Sequence, residues 1–131
     1  MLLVKTKTGP SLIAGTGLFA DEFIPKGTRV WEISLAVDTV CEPDAVHNLP
    51  KDERDLILDP DHRYISKYTG RYVGCGDDAK YFNHSFDPNV VPSEERVEGE
   101  EVDIAVRDIQ KGEELTFDYR NFDEPIEFEI K

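Results

Sequence analysis

The residues best suited to chemistry lie between positions 80 and 89, where three small polar side chains follow an aromatic pair. These side chains are Asn83, His84 and Ser85, and an Asp-Pro-Asn sequence follows Phe86. Proline presets φ and Asx side chains bond their own backbone, so this sequence predicts a rigid turn. Burying such polar groups without hydrogen bonds costs about 1–3 kcal/mol each. The stretch is therefore either a structural corner with satisfied polar groups or the floor of a binding site.

A second segment of interest runs from position 111 to position 119. Leu115, Phe117 and Tyr119 alternate there with polar residues. This period of two predicts a strand with one apolar face. Considered alone, Phe117 is typical of a protein core, and Tyr119 is typical of a core or its rim. Neither residue predicts a function by itself.

A glycine pattern near the start of the chain has the form G-x-G-x-x-A, from Gly15 to Ala20. A dinucleotide-binding Rossmann unit needs a helix after these glycines, but Pro25 and Gly27 prevent a helix of sufficient length. The sequence therefore excludes that fold. The glycines indicate either a turn that lets a ligand approach the main chain or a plain hairpin turn.

Taken together, the three segments resemble the SET-domain family of protein-lysine methyltransferases. The resemblance rests on residues 83–89, on residues 112–119 (Gly-Glu-Glu-Leu-Thr-Phe-Asp-Tyr), and on residues 15–20 followed by Ile-Pro-Lys-Gly at 24–27. It implies a mainly β fold of several short curved sheets with a C-terminal pseudoknot. We therefore expect residues 1–131 to form a single SET domain with a short C-terminal tail at 120–131.

The resemblance also implies a reaction, namely methyl transfer from S-adenosylmethionine to the ε-amine of a lysine in a protein substrate. The glycines would contact this cofactor through the main chain, and Asn83 and His84 would hold its amino-acid and adenine parts. The cofactor-binding residues implied are Gly15, Gly17, Leu18, Asn83 and His84. No metal is implied.

Other positions correspond by resemblance to the family's catalytic tyrosine and lysine channel. Tyr119 matches the catalytic tyrosine, whose hydroxyl would orient the target nitrogen rather than act as a strong base. The channel residues implied are Phe117, Tyr68 and Phe122. A phenylalanine at position 117 leaves more room than a tyrosine, which implies di- or trimethylation.

This sequence departs from the family at one motif position and in its flanks. The usual cysteine after Asn-His-Ser is Phe86, and cysteine-rich flanking segments are missing, so the zinc cluster that often closes the active site is not expected. Phe122 and Phe128 are the aromatic residues that could cover the site, unless a second subunit in a homodimer completes it. The alternative function is a catalytically inactive SET-like module that binds a basic partner.

The composition points to a basic protein or peptide as the partner. With 28 acidic and 15 basic residues, the net charge is −13, which disfavours binding to nucleic acid. The acidity could equally serve solubility alone. The two cysteines, Cys41 and Cys75, fit a reducing compartment. No signal peptide or membrane span is visible, so we expect a soluble intracellular protein, cytoplasmic or, in a eukaryote, nuclear.

The secondary structure predicted from the pattern consists of many short strands and one helical insert. Residues 43–59 predict the helical insert, because Pro50 can begin a helix and acidic residues follow it. Residues 29–37 predict a long strand, rich in β-branched and bulky side chains. The charged residues 93–101 predict the solvated tip of a hairpin, with its return strand at 102–109.

Overall fold

The structure, a computed structural model, describes residues 1–59 and 63–122. It is mainly β, as predicted, with short strands in small sheets and two short α-helices in the described residues. The strands are β1 Thr6–Pro10, β2 Thr16–Ala20, β3 Arg29–Glu32, β4 Thr39–Cys41, β5 Tyr64–Ile65, β6 Tyr72–Gly74, β7 Asn83–His84, β8 Val90–Val97, β9 Glu100–Ala105 and β10 Thr116–Phe117. The helices are α1 Pro43–His47 and α2 Lys51–Leu58. Single 3₁₀ turns occupy Asp78–Tyr81 and Tyr119–Asn121.

Three of the sheets are antiparallel: the β1-β2 hairpin and the three-stranded sheets β3-β9-β8 and β4-β6-β5. The fourth is the parallel pair β7-β10, in which Asn83 is the partner of Thr116 and His84 is the partner of Phe117. The Ser85 N–H extends this pair by donating to Phe117 O at 3.0 Å. The pairing brings two of the sequence motifs side by side. Threading of the C-terminal segment as a pseudoknot stays a prediction from the resemblance.

The main hydrophobic core joins the glycine segment to β3, β8, β9 and β10. Its buried residues are Leu18, Ala20, Ile24, Val30, Val90, Ala105, Ile109, Leu115 and Phe117. A second, smaller cluster lies against the β4-β6-β5 sheet and contains Trp31, Ile33, Val73 and Ala79. Burial of such side chains stabilises the fold by roughly 25 cal/mol per Å² of apolar surface. Two of the motif segments, 15–20 and 112–119, therefore share one core, and Val90 in the same core directly follows the third.

The predicted helical insert at 43–59 is two helices rather than one. α1 ends at His47, Asn48 follows as its C-cap, and α2 begins at Lys51. Pro50 is the physical reason, because proline has no N–H to donate and disfavours helical geometry at the preceding residue. None of the described helices is long and apolar enough to cross a membrane.

The strand predicted for residues 29–37 ends early, at Glu32. The chain turns over residues 34–38, where Ser34 O accepts from the Val37 and Asp38 N–H groups at 3.0 and 2.7 Å. The Asp38 carboxylate also accepts from the Ser34 N–H at 3.1 Å. Leu35 is 62% exposed as a result. Strand propensity was overridden here by a locally hydrogen-bonded turn.

The charged hairpin at 93–101 was predicted to have a solvated tip, but only its turn at residues 98 and 99 separates β8 from β9. Glu100 and Glu101 are buried in β9. The Glu100 carboxylate accepts from the Arg71 guanidinium at 2.7 Å and from the Thr69 hydroxyl at 2.8 Å. An ion pair with a distant segment therefore permits burial of a residue that the pattern places in solvent.

A second pair of acidic residues is buried on the other face of β9. Glu101 and Asp103 share a side-chain hydrogen bond. Burial raises the pKa of Asp103 well above its usual value, and the Glu101 charge adds to this. Burial also raises the pKa of Glu101. A shared hydrogen bond between two carboxyl groups requires one of them to hold a proton.

Candidate active site

The first part of the candidate site is the turn that joins β1 to β2. The Ser11 N–H donates to Gly15 O at 2.9 Å and closes this turn. Gly15 has a φ of +43°, in the left-handed region that favours glycine. No atom lies within 4 Å of the position that a Cβ of Gly15 would take. A ligand can therefore approach the main chain of the turn closely.

Asn83 projects from β7 to the same turn. Its Nδ2 lies 2.9 Å from Glu114 Oε2, 3.0 Å from Ala14 O, 3.1 Å from Ser11 Oγ and 3.4 Å from Thr16 O. An amide nitrogen has only two hydrogens to donate, so the acceptors outnumber them. This acceptor-rich region suits a cationic group of a ligand.

Glu114 connects the turn, β7 and the segment that leads into β10. The Ser11 hydroxyl donates to its two carboxylate oxygens at 2.8 and 2.9 Å, and Asn83 donates to Oε2. A Cβ at Gly17 would lie 2.6 Å from Glu114 Oε2 and 3.0 Å from Ser11 Cβ. Only glycine fits at position 17 without displacing these groups. We call Ser11, Asn83 and Glu114 the polar brace.

His84 is buried and lies between the polar brace and the C-terminal motif. Its Nδ1 accepts from the Tyr119 N–H at 3.1 Å, so a proton of the neutral ring is on Nε2. Burial lowers the pKa of His84 below its usual value, with Asp118 opposing the shift. His84 Nε2 is buried and has no hydrogen-bond partner in the described part of the chain. The imidazole is therefore neutral near pH 7 and works as a positioned acceptor at Nδ1.

Tyr119 is the reactive group nearest to His84. The two rings meet edge to face, with centroids 5.4 Å apart. The Tyr119 hydroxyl donates to Phe82 O, which fixes its orientation. Burial, followed by the charge of Glu114, raises the pKa of Tyr119 to about 12. The hydroxyl is therefore neutral at physiological pH and is a poor general base.

An aromatic group surrounds Tyr119 on another side and is centred on Phe122. The Phe122 ring stacks on Tyr64 at a centroid distance of 4.6 Å and on Phe117 at 5.5 Å. It also lies 5.6 Å from the Tyr119 ring. Phe117 is 4% exposed. These four rings form an aromatic surface that carries the hydroxyls of Tyr64 and Tyr119, which is suited to an aliphatic chain that ends in an amine.

The other residues expected at the site have different positions. Leu18 is fully buried in the main core, so only its main chain is available to a ligand. Tyr68 has no ring contact with the aromatic group in the described residues, and its ring packs instead against Arg96 at 3.9 Å and Lys67 at 5.4 Å. Tyr64 takes the place next to Phe122 that Tyr68 was expected to share. Phe128 lies outside the described residues.

Ser11, Glu114 and Tyr64 are the neighbours of the site to which sequence analysis assigned no role. Ser11 lies shortly before the glycines of the first motif, and Glu114 lies shortly before β10. Only the fold shows that these two residues contact each other. Tyr64 stacks on Phe122, and a bridge between Ser66 and Phe122 joins their two segments. No group of three or more His, Cys, Asp or Glu residues in the described ranges is arranged to hold a metal ion.

Comparisons with known proteins agree with this arrangement. The family model described as "SET domain" matches residues 15–120. The histone-lysine N-methyltransferase of Schizosaccharomyces pombe that is H3 lysine-4 specific is 35% identical over 125 residues, covering 86% of this chain and 12% of that protein. Human histone-lysine N-methyltransferase 2B is 30% identical over 128 residues, covering 84% of this chain and 4% of that protein.

A solved structure of the Chaetomium thermophilum Polycomb Repressive Complex 2 contains a chain with the same fold. It matches with a TM-score of 0.66 at 28% identity, covering 92% of this chain and 16% of that chain. The protein described here thus spans only a small part of the length of these relatives. Because the family model covers most of the chain, this protein belongs to the SET-domain family.

Proposed function

We propose that this SET domain is a protein-lysine methyltransferase that uses S-adenosylmethionine. The observation that carries the proposal is the position of the Tyr119 hydroxyl. It is fixed by Phe82 O, and Tyr119 itself contacts His84 on one side and Phe122 of the aromatic group on the other. A reacting amine and a methyl donor would need to meet at such a point. The relatives named as histone-lysine methyltransferases support the same reaction.

The residues present fit S-adenosylmethionine, which carries two cationic centres, a sulfonium and an α-ammonium. Carbonyl oxygens of Ala14 and Thr16 and the Glu114 carboxylate face Asn83, and such acceptors suit an ammonium group. Gly15 offers an open main chain, and His84 and Asn83 come from the adjacent strand. We assign Gly15, Gly17, Asn83 and His84 to this cofactor, with Leu18 contributing main chain only. When bound, the cofactor supplies an electrophilic methyl group.

The aromatic group has two tasks in this reaction: it positions the lysine and removes water. A free lysine has a pKa of about 10.4, so forming the neutral amine at pH 7.4 costs about 4 kcal/mol. Desolvation by Phe117, Phe122 and Tyr64 disfavours the ammonium and lowers this cost. Alignment of the amine along the channel supplies a further part of the rate enhancement. Tyr68 has no ring contact with this group in the described residues, and its place in the channel wall stays a prediction.

Tyr119 orients the amine rather than removing its proton. Its pKa of about 12 keeps the hydroxyl protonated, and the hydroxyl hydrogen is engaged by Phe82 O. In this proposal the fixed hydroxyl oxygen orients the substrate amine and attracts the positive charge near the methyl group. The proton of the lysine ammonium leaves to solvent before methyl transfer.

Phe117 determines how many methyl groups are added in this proposal. Its ring is almost fully buried and stacks on Phe122, and it has no hydroxyl that could hold an amine or a water in one orientation. The methylated amine can therefore rotate and react again. We propose di- or trimethylation as the product.

The substrate in this proposal is a basic protein or peptide that contains the target lysine. The chain's charge of −13 attracts such a substrate and raises its association rate. The named relatives act on histones according to their names, so histone tails are suitable first probes. No observation favours the inactive binding module, and a homodimer stays a prediction.

The test is calorimetric titration with S-adenosylmethionine and S-adenosylhomocysteine, followed by mass spectrometry of histone-tail peptides after incubation. Saturable binding and a mass increase of one or more methyl groups are expected. His84→Ala should weaken cofactor binding, whereas Asn48→Ala, at an exposed helix end, should not. Absence of cofactor binding by the folded protein would refute the proposal, and binding of a basic peptide without cofactor binding would establish the inactive module.

A further inference from the structure

Phe86 is an exposed aromatic residue held in one orientation next to the candidate cofactor residues. Its side chain is 57% exposed. Its ring lies nearly perpendicular to the His84 ring, with a centroid distance of 4.5 Å and an interplanar angle of 86°. The guanidinium of Arg120 lies over the ring, 4.5 Å from its centroid. An exposed phenylalanine is ordinary in itself, but one fixed by two such contacts beside a binding site is not.

Arg120 is itself immobilised, which makes the position of Phe86 more definite. Its Nε lies 2.9 Å from Asp118 Oδ1 and 3.0 Å from Asp118 Oδ2. Asp118 is in turn only 3.9 Å from His84 Nδ1. Asp118, Arg120, Phe86 and His84 thus form a closed set of contacts. The ring of Phe86 has one face towards Arg120, and much of its remaining surface is open to solvent.

The aromatic group used for the lysine channel does not include Phe86. Phe122 contacts Tyr64, Phe117 and Tyr119, whereas the only ring contact of Phe86 in the described residues is with His84. His84 therefore contacts Tyr119, which borders the proposed lysine channel, and separately contacts Phe86. A second planar surface at this place indicates a second ligand component that is planar and apolar on its faces.

We propose that Phe86 is a stacking surface for the adenine ring of the cofactor. The inference rests on the proposed function and adds a binding residue to it. Every nucleobase has a π-face that stacks on aromatic side chains without needing hydrogen bonds. Phe86 stands where the resemblance leads us to expect a cysteine of a zinc cluster. This chain therefore replaces a cysteine that would bind metal by an aromatic ring that covers the cofactor directly.

The experiment compares Phe86→Ala and Phe86→Trp with the wild type in calorimetric titrations. Two probes are used: S-adenosylhomocysteine and 5′-methylthioadenosine, which has the adenine but lacks the amino-acid part. Phe23→Ala is the matched control, because Phe23 is also exposed, at 49%. Circular dichroism confirms that each variant is folded.

We expect Phe86→Ala to weaken binding of both probes about tenfold, the size usual for loss of one base-stacking partner. Phe86→Trp should restore the affinity, and its indole fluorescence should be quenched by either probe. Phe23→Ala should bind like the wild type. The equal effect on both probes is the specific signature of a contact with adenine.

Three results would overturn the inference. One is wild-type affinity of Phe86→Ala for S-adenosylhomocysteine. Another is an increase in KM for the peptide with no change in cofactor affinity, which would place Phe86 on the peptide surface. A third is a loss of self-association, measured by sedimentation, without loss of probe binding. Failure of the wild type to bind S-adenosylhomocysteine would instead refute the proposed function, and this inference with it.

Discussion

Replacing Glu114 tests the polar brace, because this side chain holds two parts of the site together. In Glu114→Ala, the Ser11 hydroxyl loses both of its acceptor oxygens, and Asn83 loses its shortest hydrogen bond, of 2.9 Å. The Glu114 side chain is only half-buried. The principal cost is therefore the loss of hydrogen bonds rather than of packing.

The expected magnitude follows from the donors involved. The side chain accepts from two donor groups, Ser11 Oγ and Asn83 Nδ2. A hydrogen bond to a charged group contributes about 1.5–3 kcal/mol. Both donors are only partly buried and Asn83 has other acceptors, so the lower values apply. We expect Glu114→Ala to lower the free energy of unfolding by about 3 kcal/mol, and Glu114→Gln, which keeps one acceptor oxygen, by roughly half as much.

The assay is urea unfolding followed by circular dichroism, combined with titration of S-adenosylhomocysteine. Glu113→Ala is the matched control, because the neighbouring Glu113 accepts only one exposed hydrogen bond, from the Gln110 N–H at 3.0 Å. It should change the free energy of unfolding by less than about 1 kcal/mol. Cofactor affinity should fall in Glu114→Ala and remain unchanged in Glu113→Ala.

One result would refute the reasoning about the brace. If Glu114→Ala and Glu113→Ala unfold at the same urea concentration with the same slope, Glu114 contributes no more than an exposed turn residue. The hydrogen bonds to Ser11 and Asn83 would then make no net contribution to the free energy of unfolding. A loss of affinity without a loss of stability would show instead that Glu114 contacts the ligand.

Three further predictions concern the channel, the catalytic residue and the buried acidic pair. Tyr119→Phe should lower the turnover rate roughly 100-fold or more while cofactor affinity in calorimetry stays close to that of the wild type; an equal loss of both would mean that Tyr119 serves binding only. Phe117→Tyr should stop the reaction at one methyl group, as read by mass spectrometry of the peptide; continued trimethylation would contradict the role of Phe117. The folded-state pKa of Asp103 is raised, so the contribution of Asp103 to stability is largest at low pH and is lost as the pH rises from the unfolded pKa of about 3.9 towards the folded pKa. Asp103→Asn should therefore show a smaller loss of unfolding free energy between pH 4 and pH 8, and an unchanged pH dependence would refute the buried-pair interpretation.

The sequence allowed the fold class and the three motif segments to be predicted, because they depend on local patterns and a specific order. The strand at β10 and the hairpin of β8 and β9 follow from alternation and turn residues. Burial of Glu100 could not be predicted in this way, since its partner Arg71 is 29 positions away and only the fold brings them together. A charged residue in a charged run is otherwise assigned to solvent.

In the candidate site, too, local patterns could be read from the sequence, whereas contacts between distant residues could not. Gly15, Asn83, His84 and Tyr119 could be proposed as site residues because family motifs mark them. Ser11 and Glu114, which hold Asn83, are separated by 103 positions, and no sequence pattern indicates that they contact each other. The stacking of Tyr64 on Phe122 could not be predicted either. It depends on the direction of the side chain, which the sequence does not reveal.

The two-residue parallel pairing of β7 with β10 has a consequence for how the protein can be studied. Residues 83–84 and 116–117 meet only in the folded chain, so an unfolded chain has no cofactor site to offer. A ligand that binds only the native state stabilises it by about 2.7 kcal/mol at a concentration of 100 times its Kd. Melting curves recorded with a panel of cofactor analogues would therefore rank their affinities before any protein substrate has been identified.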